Sequence, residues 1–220
     1  MSLARRALAD GLGTALLLAV VVGSGIMGER LAGGSIGLAL LANALATGFA
    51  LVALILAFGP CSGAHFNPVV TAALALRREF PAREILPYVA AQFAGALLGV
   101  LAAHAMFDEP LLQLGVQARS GPAQWWSEIV ATFGLVFVVL SCDKRSVSYA
   151  VGAYIVAAYW FTASTSFANP AVTLARGLTA TFSGIRPADV GGFALAQAIG
   201  ALLAVAADRS LFRAQGEGKQ

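Results

Sequence analysis

Two asparagines, each followed by proline, carry the chemistry that is legible in this chain: Phe66-Asn67-Pro68-Val69-Val70-Thr71 and Phe167-Ala168-Asn169-Pro170-Ala171-Val172-Thr173. An Asn-Pro pair is a helix-start signal, because the Asn oxygen accepts from the free amides of the first turn and Pro at the first helical position gives up no needed donor. Each motif therefore opens a helix, the first expected from Pro68 through the Arg77, Arg78 pair and the second from Pro170 to about Phe182. At 1.5 Å per residue each rises roughly 15 to 20 Å, too little to cross a hydrocarbon core of about 30 Å. Two half-length helices, one in each half of an apolar chain, point to a polar site at the membrane midplane where inverted repeats meet.

The chemistry of such a meeting point follows from its parts. A helix amino end carries roughly half a positive charge, so two of them facing each other raise a barrier to cations, hydronium included. With the side-chain oxygens of Asn67 and Asn169 spent on capping, their amide hydrogens are expected to point into the gap as donors to a passing polar solute. The segments leading in, Gly63 to Phe66 and Thr165 to Ala168, read as extended. Non-helical backbone at membrane depth is tolerated only where it is protein-buried or lines a wet cavity. The carbonyls of Gly63, Ala64, His65, Phe66, Thr165, Phe167 and Ala168 are thus expected to form a ladder of acceptors. Dry packing of two broken helices would leave those groups without partners.

Asp10 and Glu128 are ionisable groups inside apolar runs. Such residues are proton carriers or structural acceptors, and their symmetric placement favours the second role, each accepting from the re-entrant loop of its own half. His65 is either a pH gate or a satisfied structural residue. Gly95 and Gly99, in Gly-x-x-x-Gly spacing, permit close helix contact, within the chain or across an oligomer face.

The elements that must position these residues are apolar. Over 220 residues the chain is 59% hydrophobic and 11% charged, with a mean hydropathy of +0.79. That composition indicates a multi-span membrane protein and not a soluble core. The net charge of +3 comes from Lys and Arg residues lying between apolar runs, which reads as membrane topology and leaves no nucleic-acid partner. Cys61 and Cys142 stand in no metal or redox spacing and are read as buried small apolar residues. No metal or cofactor is implied, and no nucleophile stands beside a base as an enzyme would need. Arg5 and Arg6 precede an apolar run, 15–22, that reads as the first retained span and not as a signal peptide.

Apolar runs of spanning length fall at about 7–27, 36–58, 86–107, 126–142, 147–164 and 189–207, giving six spans plus two re-entrant segments in one all-α membrane channel domain, 1–220. Trp125, Trp126 and Tyr88 lie where interfacial aromatics are enriched. With both termini inside, the inner segments hold ten basic residues (Arg5, Arg6, Arg77, Arg78, Arg83, Lys144, Arg145, Arg209, Arg213, Lys219) against four outside (Arg30, Arg119, Arg176, Arg186), which favours cytoplasmic termini. The halves, 1–107 and 126–207, repeat each other: Gln92 and Gly95 match Gln197 and Gly200, and Asp10 with Thr14 matches Glu128 with Thr132. Three spans repeated must return inverted, so the half-helices enter from opposite faces.

At these residues the chain resembles the aquaporin and aquaglyceroporin (major intrinsic protein) family. The resemblance covers essentially all six spans. It rests on Ser62 to Thr71, Asn169 to Thr173, the membrane acids, and the Ala-Gln-x-x-Gly-Ala pattern of both halves. It implies a passive channel in the bilayer, a homotetramer with one pore per subunit, and Asn67 and Asn169 as central donors. Three positions depart from the family pattern: Val69 stands where Ala is usual, Asp10 where Glu is usual, and Val172 where the outer selectivity filter has its arginine. Counting without gaps from the two asparagines puts the other filter positions at Thr47, Ala157 and Ser166. A filter of Thr, Ala, Ser and Val is small, nearly neutral and wide, and should pass uncharged solutes larger than water. The Val replacement is similar to that of AqpS-type bacterial channels linked to arsenic efflux, which implies trivalent arsenic hydroxide as a substrate and a bacterial inner membrane as the location. Glycerol, urea and water are the other solutes expected. A water-selective channel and an ion-coupled secondary transporter remain as alternatives, the latter lacking a cluster of ionisable groups for a coupling site. Arg176, four residues beyond Val172, either adds positive potential to the outer vestibule or turns to solvent or loop carbonyls.

Overall fold

Two serines start the two longest helices in the computed structural model, which describes residues 1–213 of the chain. The hydroxyl oxygen of Ser2 accepts from the Arg5 amide and that of Ser35 from the Leu38 amide, each satisfying a free donor of a first turn. Helix α1 then runs Leu3–Leu31 and α2 runs Ile36–Ser62. The second exceeds the expected 36–58 by a turn: it continues past Pro60 and stops at Gly63, whose φ of +87° glycine adopts without strain and whose amide donates to the Gly59 carbonyl. Next come α3 (Pro68–Leu76), a 3₁₀ turn (Ala82–Glu84), α4 (Ile85–Phe107), α5 (Pro122–Ser141), α6 (Val147–Phe161), α7 (Pro170–Arg176) and α8 (Pro187–Asp208), with a π turn at Arg209–Arg213. Lys219, counted above among the inner basic residues, lies outside the described residues.

Five of these helices, α1, α2, α4, α5 and α8, are long and apolar enough to cross a membrane. The sixth expected span, α6, has 15 residues, about 22 Å of rise, because the chain leaves helical geometry at Thr162 and not at 164. In the turn before it, the Arg145 amide donates to Asp143 at 2.7 Å and the Ser146 side chain at 2.9 Å, which holds the Asp143 carboxyl below its ordinary value.

Helix α7 is much shorter than expected, ending at Arg176 and not near Phe182. The reason is tertiary. The carbonyls that would continue the helix are taken by other segments, Arg176 O by the Ile185 amide at 3.1 Å and Gly177 O by the Gly115 amide at 2.9 Å. Residues 177–186 fold back over the helix end instead. Helix α3 stops one residue short of Arg77, and Arg78 turns the chain with φ +62°.

The packing of α1 on α4 recurs in α5 on α8, and α2 lies against α6. Glycines set both of the first two contacts. A Cβ on Gly95 would collide with the Gly11 carbonyl oxygen, one on Gly99 with that of Ala15, and one on Gly200 with that of Ile129. The Gly95 and Gly99 contacts are therefore made within the chain, between α4 and α1. Gly95→Val is expected to push the helices apart at a cost of about 3 kcal/mol. A roughly fivefold loss of monodisperse protein in detergent would show it, and normal yield with unchanged Tm would contradict this packing account.

Ion pairs identify the two ends of the bundle. Arg6 pairs with Glu84 at 2.5 Å and Arg77 with Asp208 at 2.6 Å, so the start of α1 and the end of α8 share one end. Arg30 to Glu109, at 2.8 Å, marks the distal end. Trp125 and Trp126 are exposed, whereas Tyr88 is not interfacial as expected. It is fully buried, donates its hydroxyl to the Ser62 carbonyl at 2.9 Å and packs on His65 and Phe80, because its face of α4 covers the loop before α3. Cys61 and Cys142 are free thiols and only half-buried, which corrects their expected burial; both lie near helix ends, where packing is thinner.

Candidate functional site

Capping spends the oxygen of each asparagine. Asn67 Oδ1 accepts from the Val69 amide at 3.0 Å, and Asn169 Oδ1 from the Ala171 and Val172 amides at 3.0 and 3.3 Å. The nitrogens are not wholly left to the gap. Asn67 Nδ2 donates to the Ala168 carbonyl and Asn169 Nδ2 to the Phe66 carbonyl, each at 2.8 Å. A carboxamide has two N–H donors, so one hydrogen of each crosses to the other half and one remains. This corrects the expectation of wholly free donors, and it also occupies one lone pair on each of two carbonyls of the expected ladder. The crossed pair ties the amino ends of α3 and α7 together.

The loops leading in are not extended. Ala64 and Phe66 have φ of +51°, Ser166 +50° and Ala168 +48°, so the third and first residues before each asparagine are left-handed, with Thr165 at +59° as well. Each such L-residue costs roughly 1–2 kcal/mol. The offset comes from hydrogen bonds that repeat across the halves. Asp10 accepts from the His65 amide (2.9 Å), the Phe66 amide (3.1 Å), the Ser62 hydroxyl (3.0 Å) and Gln92 Nε2 (2.7 Å). Glu128 accepts from the Phe167 amide (2.9 Å), the Ala168 amide (2.8 Å) and Gln197 Nε2 (2.6 Å). Ser62 and Ser164 hydroxyls accept from the amides two residues on, and Gln92 and Gln197 also donate to Thr71 and Thr173, whose hydroxyls donate back to the Asn67 and Asn169 carbonyls. Both carboxyls are fully buried, and every partner named here is a donor, which suits a group that only accepts when ionised.

A cavity of about 110 Å³ runs past this crossing, against the roughly 10–15 Å³ one water needs on that measure, so a file of several waters fits. One wall is made of every fourth residue on two helices, Thr47, Leu51 and Ile55 on α2 and Val151, Ile155 and Tyr159 on α6, apolar but for the Thr47 and Tyr159 hydroxyls. The facing wall holds Asn67, Asn169 and the loop residues Gly63, Ala64, His65, Phe66, Ser166 and Phe167. His65 has its Nδ1 3.1 Å from the Thr71 hydroxyl.

Not every expected site residue meets this space. Thr165 and Ala168 of the ladder do not line it; the Thr165 hydroxyl accepts from Arg119 Nη1 at 3.4 Å instead. Pro68, Val69, Pro170 and Ala171 lie behind the lining, and Val69 packs against α5 and α8 with Val136, Leu140 and Val205. Val69 thus faces the core and not the passage. Thr47, Ser166 and Val172 do line the distal part, but Ala157 is exposed on the outer face of α6. Tyr159 occupies that place, its hydroxyl 3.4 Å from Thr47 Oγ1. Ala157 lies two residues before Tyr159, and two residues on a helix turn a side chain by about 200°.

Arg176 turns to a loop carbonyl and also reaches the cavity. Its Nε donates to the Ser183 carbonyl, its guanidinium lies 3.4 Å from the Phe167 ring centroid, and it lines the cavity while only 2% exposed. Arg119 lies 5.0 Å from the same ring. Tyr159 was findable from the spacing of Val151, Ile155 and Tyr159. Arg119 comes from an aperiodic connection and gave no such signal.

Known proteins resemble this chain in sequence and in fold. Residues 1–148 match the family model described as major intrinsic protein. The chain is 53% identical over 214 residues to aquaglyceroporin AqpS of Rhizobium meliloti (strain 1021), covering 96% of this chain and 91% of that protein. To aquaporin AqpM of Methanothermobacter marburgensis it is 33% identical over 169 residues, 66% of this chain and 69% of that one. The X-ray structure of the aquaglyceroporin from Plasmodium falciparum matches with a TM-score of 0.76 over 97% of this chain and 98% of that chain, at 19% identity, a likeness of fold.

Proposed function

Because the chain belongs to the major intrinsic protein family of membrane channels, we propose that it is a passive pore for small uncharged solutes such as glycerol, urea and arsenite, with water as co-permeant. The observation that carries this reading is the two-sided passage: an apolar wall from α2 and α6 faces loop backbone and the spare N–H groups of Asn67 and Asn169, with no carboxylate among the described lining residues. A solute with hydroxyls on one side and carbon on the other can exchange its hydration for those contacts while its apolar side meets the valine, leucine and isoleucine wall. Thr47, Ser166, Tyr159 and Val172 then act as the filter, Asn67 and Asn169 as central donors, and Asp10 and Glu128 as the acceptors that hold the loops. The protein works in a bacterial inner membrane with cytoplasmic termini and assembles as a homotetramer.

Liposome swelling tests the reading. Glycerol and urea uptake should rise linearly with gradient, and arsenite should enter the same vesicles. Uptake that saturates and collapses when the proton or sodium gradient is dissipated would replace it with a coupled transporter. Tyr159 and Arg176 at the distal end narrow the passage and favour a second reading, a water-selective channel; the ratio of glycerol to water permeability separates the two. Tyr159→Ala is expected to raise that ratio about threefold, since the phenol bounds the opening beside Thr47.

A further inference from the structure

Valine at 172 does not leave the passage without fixed positive charge. Arg176 lies four residues on, about 6 Å further along α7. It is held by the Ser183 carbonyl and the Phe167 ring, and it still lines the cavity. Arg119 arrives at the same ring from the connection between α4 and α5. Its Nε donates to the Gly184 carbonyl at 2.9 Å and its Nη1 to the Ser164 carbonyl at 3.3 Å. Both guanidiniums bond to neutral acceptors. The ion pairs among the described residues involve Arg6, Arg30, Arg77 and Arg186, so neither guanidinium is in one. The carboxylates near them are held by other donors, Asp189 by Arg186 and the Arg119 amide and Glu128 by the Phe167 and Ala168 amides. The face of Phe167 attracts and orients a cation without cancelling its charge. Helix α7, with only seven residues, is a short source of dipole for the barrier expected from its amino end.

We infer that Arg176, backed by Arg119, is what keeps protons and other small cations out of this passage; the inference rests on the channel reading above. Charge fixed in a low-dielectric wall raises the energy of any cation beside it. Setting the charge one turn beyond Val172 separates two tasks that a single side chain at 172 would combine. The level of Val172, Ser166 and Thr47 stays neutral and open to a bulky solute, while the mouth repels cations.

The full chain, reconstituted in sealed liposomes, is read two ways in the same vesicles: glycerol swelling, and proton flux after a pH step with potassium and valinomycin clamping the voltage. The quantity of interest is the ratio of proton to glycerol flux. Arg176→Gln should raise it at least about tenfold, Arg176→Lys should keep it within about twofold of the parent, and Arg119→Gln should raise it about threefold. An unchanged ratio in both glutamine variants overturns the inference. If Arg176→Gln yields no conducting protein, Arg119→Gln decides alone, a rise supporting the inference and an unchanged ratio overturning it. Absent glycerol swelling in the parent instead overturns the channel reading, and this inference with it.

Discussion

Val172→Arg is expected to cut glycerol and arsenite uptake at least about tenfold, equivalent to roughly 1.4 kcal/mol or more on the barrier to passage. Val172 is 5% exposed and lines the distal cavity beside Ser166, with Thr47 and Tyr159 across from it. An arginine there adds several side-chain atoms to a space of only about 110 Å³. It also sets a second guanidinium four residues from Arg176 on one helix face, where like charges repel. Because Arg176 is already fixed by Ser183 and Phe167, the new side chain has little choice but to extend towards Thr47. Water, being smaller, should lose less flux than glycerol, so the glycerol-to-water ratio falls along with the absolute rate. Stopped-flow light scattering on matched vesicles measures both. Equal glycerol flux in variant and parent would remove Val172 from the filter.

Glu128→Leu is expected to cost a large part of the stability. Three donors lose their acceptor at once: the Phe167 and Ala168 amides and Gln197 Nε2. A buried donor left unsatisfied costs about 1–3 kcal/mol, so even partial relaxation leaves a loss of roughly 3–5 kcal/mol, comparable to the whole stability of many domains. The loop carrying left-handed Ser166 and Ala168 would lose what holds it, and with it the partner of Asn67. The variant should fail to purify as folded protein, whereas Glu128→Gln, which keeps one accepting oxygen, should fold with a lower Tm and reduced glycerol flux. A Glu128→Gln protein of unchanged Tm and glycerol flux that has lost a pH dependence of transport would instead favour proton carriage. Asp10 sits in the equivalent network with four donors, so Asp10→Leu should behave alike.

What could be read from the chain alone was local or periodic. Helices begin at Pro68 and Pro170 because capping by the preceding asparagine involves atoms within three residues. The apolar runs became long helices, and an all-α membrane fold with two half-helices followed from their lengths. The features that differed were decided by partners far away in sequence. Helix α7 ends early because Ile185 and Gly115 take the carbonyls of Arg176 and Gly177. Tyr88 is buried because its face of α4 meets the loop holding Ser62 and His65. One N–H of each asparagine is spent across the midplane on a carbonyl about a hundred positions away. Tyr159 and not Ala157 lines the cavity, and Arg119 entered from a connection without pattern. Capping and hydropathy are written in adjacent residues, whereas a hydrogen bond or a ring contact between distant segments exists only once packing has brought its two halves together.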